Sequence, residues 1–571
     1  TTTVQRIIGN SMGIVLLASN MLQAAPLPNA GHLLQQEQSA ITAPPFQAPP
    51  LDAAPLSHKS DNKALATTHN AIRFVVPSFV FSGNTLFSNN ELAAMLSSVT
   101  NKSITLDALN QAINAITVAY RQKGYLLASA FLPPQTVQVG SPVSIHIVEG
   151  RLEKVAITHH NGTARTRTSL LDYYAGQLPL NQPLNNNELT ELVMRMNELP
   201  NISSRILLEP GSRPGTTQAT LQITEGNPMS YAVQLDNYGN ESTGENRLSV
   251  SMEAASPLQL GDQLTLRLQT STTGELKNFH SGYSLPITPY GSRLRFSYHY
   301  VGYQTGGAFS ALKVSGTAQN VNLALSHPLW RSRYGALNAT VATESNSLHD
   351  RIASLNTATQ RTSNSYQVGI NGVVMDRLVV GGYTSFSLGA ITGNLSMNDP
   401  IQLYDDQAAY GLHTSGGYSK YTMSLSRTQQ LGAGWSLYGG TYGQQAGKNL
   451  SSSEQLALAG AGAVRAWQAT EAYGDSGIIA TAEVRHQLHD MEELPGKLEL
   501  LAFVDYATAT IHTNPIANSG SNHQTLRGAG IGVKWFDAGN YHFQATAAWK
   551  LGNHHDTAAP PMVYVQAVKM F

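Results

Sequence analysis

Eighteen histidines and no cysteine set the chemistry open to this 571-residue chain. Without thiols there is no disulfide scaffold, no cysteine-ligated zinc and no thiol nucleophile. His159 and His160, and likewise His554 and His555, are adjacent pairs. Adjacent side chains on a strand point to opposite faces, so such pairs chelate poorly, and both read as turn or loop histidines. His486 and His489, beside Arg485, have no third ligand that spacing supplies. No glycine-rich phosphate loop and no nucleophile elbow appear. Acidic residues such as Glu253 and Glu483 read as lumen-lining rather than catalytic. The expectation is a protein with no metal, no cofactor and no enzyme activity. Its chemistry would then lie in charged side chains that hold parts of the chain together, and in the elements that bring them into reach.

Those elements are mostly strands. Over Arg247–Ala255, Leu248, Val250, Met252 and Ala254 fall on one face and Arg247, Ser249, Ser251 and Glu253 on the other. Residues 263–269, 293–300 and 542–551 repeat the alternation, which is the period of a β-strand. The pattern recurs over the last 340 or so residues, and its polar face carries arginines. A soluble sheet would have to cover the apolar face; a membrane barrel sets it against lipid and keeps the polar face in a wet lumen. At roughly 20–22 residues per strand and turn, residues 229–571 supply about 16 antiparallel strands. A barrel of that size encloses a lumen, which either conducts or is plugged. Mean hydropathy is −0.17. Outside the N-terminus there is no apolar run of the length a membrane helix needs, so only a closed barrel could satisfy the backbone in a bilayer. With 12% charged residues and a formal net charge of −1, no nucleic-acid footprint follows.

Ahead of the barrel the chain divides further. Arg6 followed by a mostly apolar stretch reads as a signal peptide over residues 1–25. Residues 26–42 contain a short amphipathic helix, with Leu33, Leu34 and Glu37 among its side chains. Residues 43–71, rich in proline and polar residues, read as an extended tether. Two units of roughly 75 residues follow, 72–150 and 151–228, each in the order β-α-α-β-β. In the first, Leu109, Ile113, Ile116 and Tyr120 have helical spacing. Its leading strand is expected to run through 74–87. Both units end on the same dipeptide, Glu149–Gly150 and Glu225–Gly226.

Particular runs sharpen this. In the first unit they are GNTLF (83–87), YRQKGY (120–125), LPPQ (132–135) and VEG (148–150). Around the barrel entrance they are DNYG (236–239), SPL (256–258) with Gly261 and Asp262, YSLP (283–286) and SHPL (326–329). In this order the chain resembles the two-partner secretion transporters, outer-membrane proteins that export large adhesins, haemolysins and contact-dependent toxins. The resemblance implies POTRA-like periplasmic modules that capture an unfolded exoprotein, and passage through the lumen without ATP. It also implies a resting state closed by the N-terminal plug helix and by a long extracellular loop, around 454–477, folded into the lumen. Val464, Arg465, Ala466 and Trp467 stand at the family's loop tip, and Phe503 and Asp505 on the strand facing it. The resemblance implies an Arg465–Asp505 ion pair; spacing alone favours Arg465 as an exposed loop arginine and Asp505 as one of many lumen carboxylates. Ala466 departs from the family's glycine, which puts the shape of the tip in question. Phe571 resembles the terminal aromatic by which barrel-assembly machinery recognises its clients, and Lys569 departs from the apolar residue usual there. A monomer in the outer-membrane bilayer is expected, with the exoprotein as partner. A barrel-assembly insertase and a diffusion porin are the rival readings.

Overall fold

In the computed structural model, residues 28–41, 73–136, 140–160, 165–488, 495–515, 520–552 and 560–571 are described. The signal-peptide and tether segments, His489, His554 and His555 lie outside them. Sixteen antiparallel strands, from Met229–Asp236 to Met562–Met570, close into one barrel. Successive strands pair as neighbours, and the last returns to the first through Gln566–Met570 against Ala232–Asp236. Alternation fixes the register: Val233, Leu235, Leu248 and Val250 are exposed on the outer wall, while Asp236, Arg247 and Ser249 are buried on the inner one. A one-residue slip would turn that inner set toward lipid. Strand length is uneven. The first three strands have 8, 9 and 9 residues, whereas Val314–Ser332, Gly335–Ile352 and Thr357–Asp376 have 19, 18 and 20.

The two units before the barrel share one plan. In the first, Phe79–Ser82 pairs parallel with Val143–Val148, which pairs antiparallel with Ser129–Phe131. In the second, Arg151–His160 pairs parallel with Thr216–Glu225, which pairs antiparallel with Ile202–Pro210. Two helices cover one face of each sheet, and Leu109, Ile113, Ile116 and Tyr120 are buried as their spacing required. The expected leading strand 74–87 is two strands, Arg73–Val75 and Phe79–Ser82. Pro77 between them has no N–H to give a ladder, so the chain breaks there. The first piece pairs with Ser103–Thr105, a strand too short for its alternation to show. His159 and His160 end a strand rather than occupy a turn.

The repeated Glu–Gly dipeptide has a structural cause. The buried Glu149 carboxylate accepts the backbone N–H groups of Thr85 and Leu86 at 2.6 and 2.9 Å, the Tyr120 hydroxyl at 2.9 Å, and the Thr85 hydroxyl. Glu225 accepts those of Arg165 and Thr166 at 2.9 and 3.1 Å. In each unit a glutamate ending the last strand thus satisfies the loop between first strand and first helix, whose amides would otherwise be orphaned.

The second unit is seated on the barrel rim. Arg167 N donates to Gln259 O (3.0 Å), Tyr174 to Thr288 O (3.3 Å) and Tyr290 to Gln177 (2.8 Å), and Arg331 pairs with Glu198. Gly261 has φ +66°, and a Cβ there would meet Leu199 of the second unit at 2.7 Å. Next to it the buried Asp262 accepts from Leu258 N, Leu260 N and the Tyr283 hydroxyl. Two of the runs picked out in the sequence, SPL with Gly261 and Asp262, and YSLP through Tyr283, therefore meet at one turn.

Burial pushes the Glu149 carboxyl up, but the donors from Thr85, Leu86 and Tyr120 outweigh it and hold it below the ordinary range. A lowered carboxylate stabilises the native state above its unfolded pKa, and that contribution is lost as pH falls through the native value. Glu149→Gln should cost the first unit about 1.5–3 kcal/mol at neutral pH, read as faster protease cleavage within residues 73–150 of the intact protein. The variant should also show a shallower rise in cleavage on acidification than the parent.

Candidate functional site in the barrel lumen

Two elements fill the lumen. One is the helix Ala30–Ile41, which falls within the expected 26–42. Its Ala30, Leu33 and Leu34 pack on Leu276, Val301, Tyr303, Val314, Ala318 and Leu348, inward-facing residues of the fourth to seventh barrel strands. At its start, the His32 N–H donates to the Asn29 side chain (3.0 Å) and Ala30 N to Asp350 (2.8 Å). A carboxylate at this end meets the positive end of the helix dipole. Towards the other end Glu37, 1% exposed, accepts from Arg247 Nη1 at 2.6 Å and from Asn278 at 2.9 Å. Arg247 turns its Nε to Asp236 at 2.7 Å, so one buried guanidinium joins the helix to the first two barrel strands. Asp236 begins the DNYG run; Asn237, next to it, exchanges hydrogen bonds with Val563 O and Val565 N of the last strand. That run therefore serves both the helix and the barrel seam.

The second element is the loop 447–475 between strands Trp435–Ala446 and Ser476–Gln487. It carries a short hairpin, Leu456–Ala457 with Tyr473–Gly474, and its tip lies against the inner wall. Arg465 grips Asp505 through Nη2 and Nε at 2.7 and 2.9 Å, and its backbone N–H donates to the same carboxylate at 3.1 Å. The remaining donors reach Glu483 (2.7 Å) and Thr481 (2.9 Å). The Phe503 ring lies under the guanidinium, 3.4 Å from centroid to carbon. This is bidentate recognition with a cation–π contact beneath it. Cross-strand pairing of Thr481 with Asp505 and Glu483 with Phe503 puts all four acceptor and ring positions on one face.

Val464 is fully buried among Leu456, Leu458, Ala507, Ala509 and Leu526. Ala466 needs no left-handed backbone: it is absent from the residues with positive φ, and sits against Gly528, where a Cβ would come within 2.8 Å of it. The space that the family's glycine would leave at the tip is made here by a glycine on the wall. Trp467 donates to Arg527 O (3.3 Å), lies under Lys550 and accepts from Tyr564.

The structure thus brings together every loop-anchor residue expected from the sequence, and sets Leu33, Leu34 and Glu37 on the lumen-filling helix. It adds Arg247, Asp236, Asp350 and Thr481, and makes Glu483 a member of the anchor as well as a lumen residue. Arg247 was visible only as a polar-face member of an alternating strand; the signal was its charge at an inward position. His486 stacks on Trp435 and stands apart from this site.

A family model, the haemolysin secretion/activation protein ShlB/FhaC/HecB, matches residues 215–535, and a POTRA domain model of ShlB type matches 74–150. The chain belongs to this haemolysin secretion/activation family. It is 28% identical over 484 residues to the heme/hemopexin transporter protein HuxB of Haemophilus influenzae strain 86-028NP, covering 84% of each chain. It is 25% identical over 502 residues to the outer membrane transporter CdiB of Dickeya dadantii, covering 84% of this chain and 83% of that one. Among solved structures, CdiB from Escherichia coli superposes with TM-score 0.70 over 95% of this chain and 98% of that one, at 22% identity, which bears on the fold. The chain is an outer-membrane transporter that exports a partner exoprotein, with its POTRA region in the periplasm; the insertase and porin readings give way to this one.

Arg247→Met would leave Glu37 and Asp236 buried without a counter-charge. Losing one partner of a buried pair costs about 3–5 kcal/mol, so amide exchange over Ala30–Ile41 should quicken by roughly a hundredfold to a few thousandfold, measured by hydrogen–deuterium exchange on the detergent-solubilised protein.

Proposed function

We propose that the helix Ala30–Ile41 and the loop tip at Arg465 are the two closures of a secretion channel, and that export requires both to leave the lumen. The observation that carries this reading is the Glu37–Arg247–Asp236 chain, in which a segment far away in sequence neutralises a buried lumen arginine. Such a pair is stable while dry and breakable once water enters, which suits a plug that must come out. The exoprotein is captured in the periplasm by strand addition to the sheet edges of the two α/β units, Phe79–Ser82 and Ser129–Phe131 in the first and Arg151–His160 and Ile202–Pro210 in the second. Exposed Val80 and Phe131 offer apolar contacts there. Folding of the cargo outside prevents its return, and the transporter itself carries out no covalent chemistry.

The relatives' names include a heme/hemopexin transporter protein and an outer membrane transporter, CdiB. We take the cargo to be a large exoprotein with an N-terminal secretion domain. The transporter works as a monomer and is delivered by barrel-assembly machinery that reads Phe571. That residue closes the last strand by exchanging backbone hydrogen bonds with Tyr231. Lys569 shares its outward face and turns its ammonium to Asn540, snorkelling toward the periplasmic rim.

Deleting residues 30–41 should raise single-channel conductance in planar bilayers while leaving cargo secretion in place; unchanged conductance would show that the helix is no plug. Asp505→Arg should disturb the loop and secretion, and the added Arg465→Asp exchange should restore them in part. No recovery in the double variant would count against the tip as a functional anchor.

A further inference from the structure

The loop has a second attachment, remote from its tip. Glu454, 6% exposed, lies 3.0 Å from Lys420 Nζ, and the same ammonium donates to Glu454 O at 2.9 Å. Asn346 and Ser363 complete the carboxylate's shell at 3.3 and 3.2 Å. These partners come from the seventh, eighth and tenth barrel strands, whereas Arg465 is held by the twelfth and thirteenth. Gln444 then ties both ends of the loop to the wall, donating to Glu454 O (2.9 Å) and Asp475 O (3.0 Å).

This base is where the helix meets the loop. His32 stacks on Tyr473 with ring centroids 3.6 Å apart and planes within 3°. Its Nε2 lies 3.0 Å from Gln455 Oε1, and Gln35 donates to Gln455 O. Gln455 is itself held by Asp475 at 3.0 Å. A side chain at Gly31 would collide with Ser452 and Ser453, so backbone packs on backbone. The helix is wedged between the fourth to seventh strands on one side and this base on the other. Among the described contacts, the tip is linked to it through intermediates: Trp467 O accepts from Tyr564, whose ring meets Tyr238, whose carbonyl accepts from Gln36.

We propose that the loop is held in two independent parts, and that Lys420 and Glu454 are positioning residues for the helix. They lock the base, and the base, rather than the Arg465 tip, keeps the helix seated. Unpairing Lys420 from Glu454 frees the helix and leaves the tip in place; unpairing Arg465 from Asp505 frees the tip and leaves the helix in place. The two closures are then two steps with separate triggers. This rests on the gating reading above only for its consequence in export; the holding contacts are tested separately.

The chain has no cysteine, so single reporters need no background removal. Leu34→Cys reports the helix and Ala466→Cys the tip, both buried in the closed protein. Each is combined with Lys420→Met or Asp505→Asn in the full-length protein, and its rate of reaction with a water-soluble maleimide is measured in detergent. Lys420→Met should raise the rate at Cys-substituted Leu34 by roughly tenfold or more and change that at Ala466 less than about twofold. Asp505→Asn should do the reverse. Glu454→Gln, nearly isosteric, should behave as Lys420→Met does, and the exchange Lys420→Glu with Glu454→Lys should return the Leu34 rate toward that of the parent. Heat-modifiable gel migration checks that each barrel is folded. An unchanged Leu34 rate in folded Lys420→Met and Glu454→Gln variants overturns the proposal, as does equal exposure of Leu34 by Asp505→Asn. Failure of the helix deletion to alter conductance would instead strike the gating reading, whatever the labelling rates.

Discussion

Buried charge governs the interior of this molecule. A sixteen-stranded wall with a polar inner face leaves guanidinium, ammonium and carboxylate groups pointing into a space too wide for opposite walls to neutralise each other. Several of those groups find partners on segments that enter the lumen. Glu37 answers Arg247, Glu454 answers Lys420, and Arg465 answers Asp505 and Glu483. The fillers are therefore specified by charge as much as by shape. In the gating proposed above, each one that leaves exposes a group that only water or a passing chain can satisfy, a cost that would favour the shut channel.

The same principle accounts for how rigid parts and movable parts coexist. Backbone pairing makes the wall stiff, and the periplasmic seat of the second α/β unit is fixed by several contacts with two rim turns. Among the described residues, the fillers have regular strand pairing only within the loop's own hairpin, Leu456–Ala457 with Tyr473–Gly474, which forms no sheet with the wall. They hold by side chains, and side-chain contacts in a lumen that can rehydrate are reversible in a way that a sixteen-strand ladder is not.

Much of this architecture is legible in the sequence because it follows from period. Alternation over the last 340 residues yields the barrel and its strand number, and 3.6-residue spacing yields the helices of both units. What spacing does not reveal is pairing across long separations. Lys420 and Glu454 are 34 residues apart, and Glu37 and Arg247 are 210 apart; neither bond leaves a periodic trace. The Arg465–Asp505 pair is legible only through the resemblance, since spacing by itself favours Arg465 as an exposed loop arginine. Alternation also overreached where a proline intervenes, as at Pro77. The repeated Glu–Gly dipeptide was visible, but only the coordinates of Glu149 and Glu225 show it to be a cap for a loop.

The uneven strand lengths bear on the surrounding bilayer. At about 3.3 Å per residue and a tilt near 40°, the 20-residue strand Thr357–Asp376 rises about 50 Å, well beyond an apolar band of about 25 Å. The 8-residue strand Met229–Asp236 rises only about 20 Å. Lipid beside the first strands therefore has less apolar wall to cover than lipid on the opposite side. A membrane meets such a mismatch by thinning. The seam where the barrel closes on itself thus lies against the thinnest lipid around the protein, and the molecule imposes on its membrane an asymmetry that its own circular hydrogen-bonding does not have.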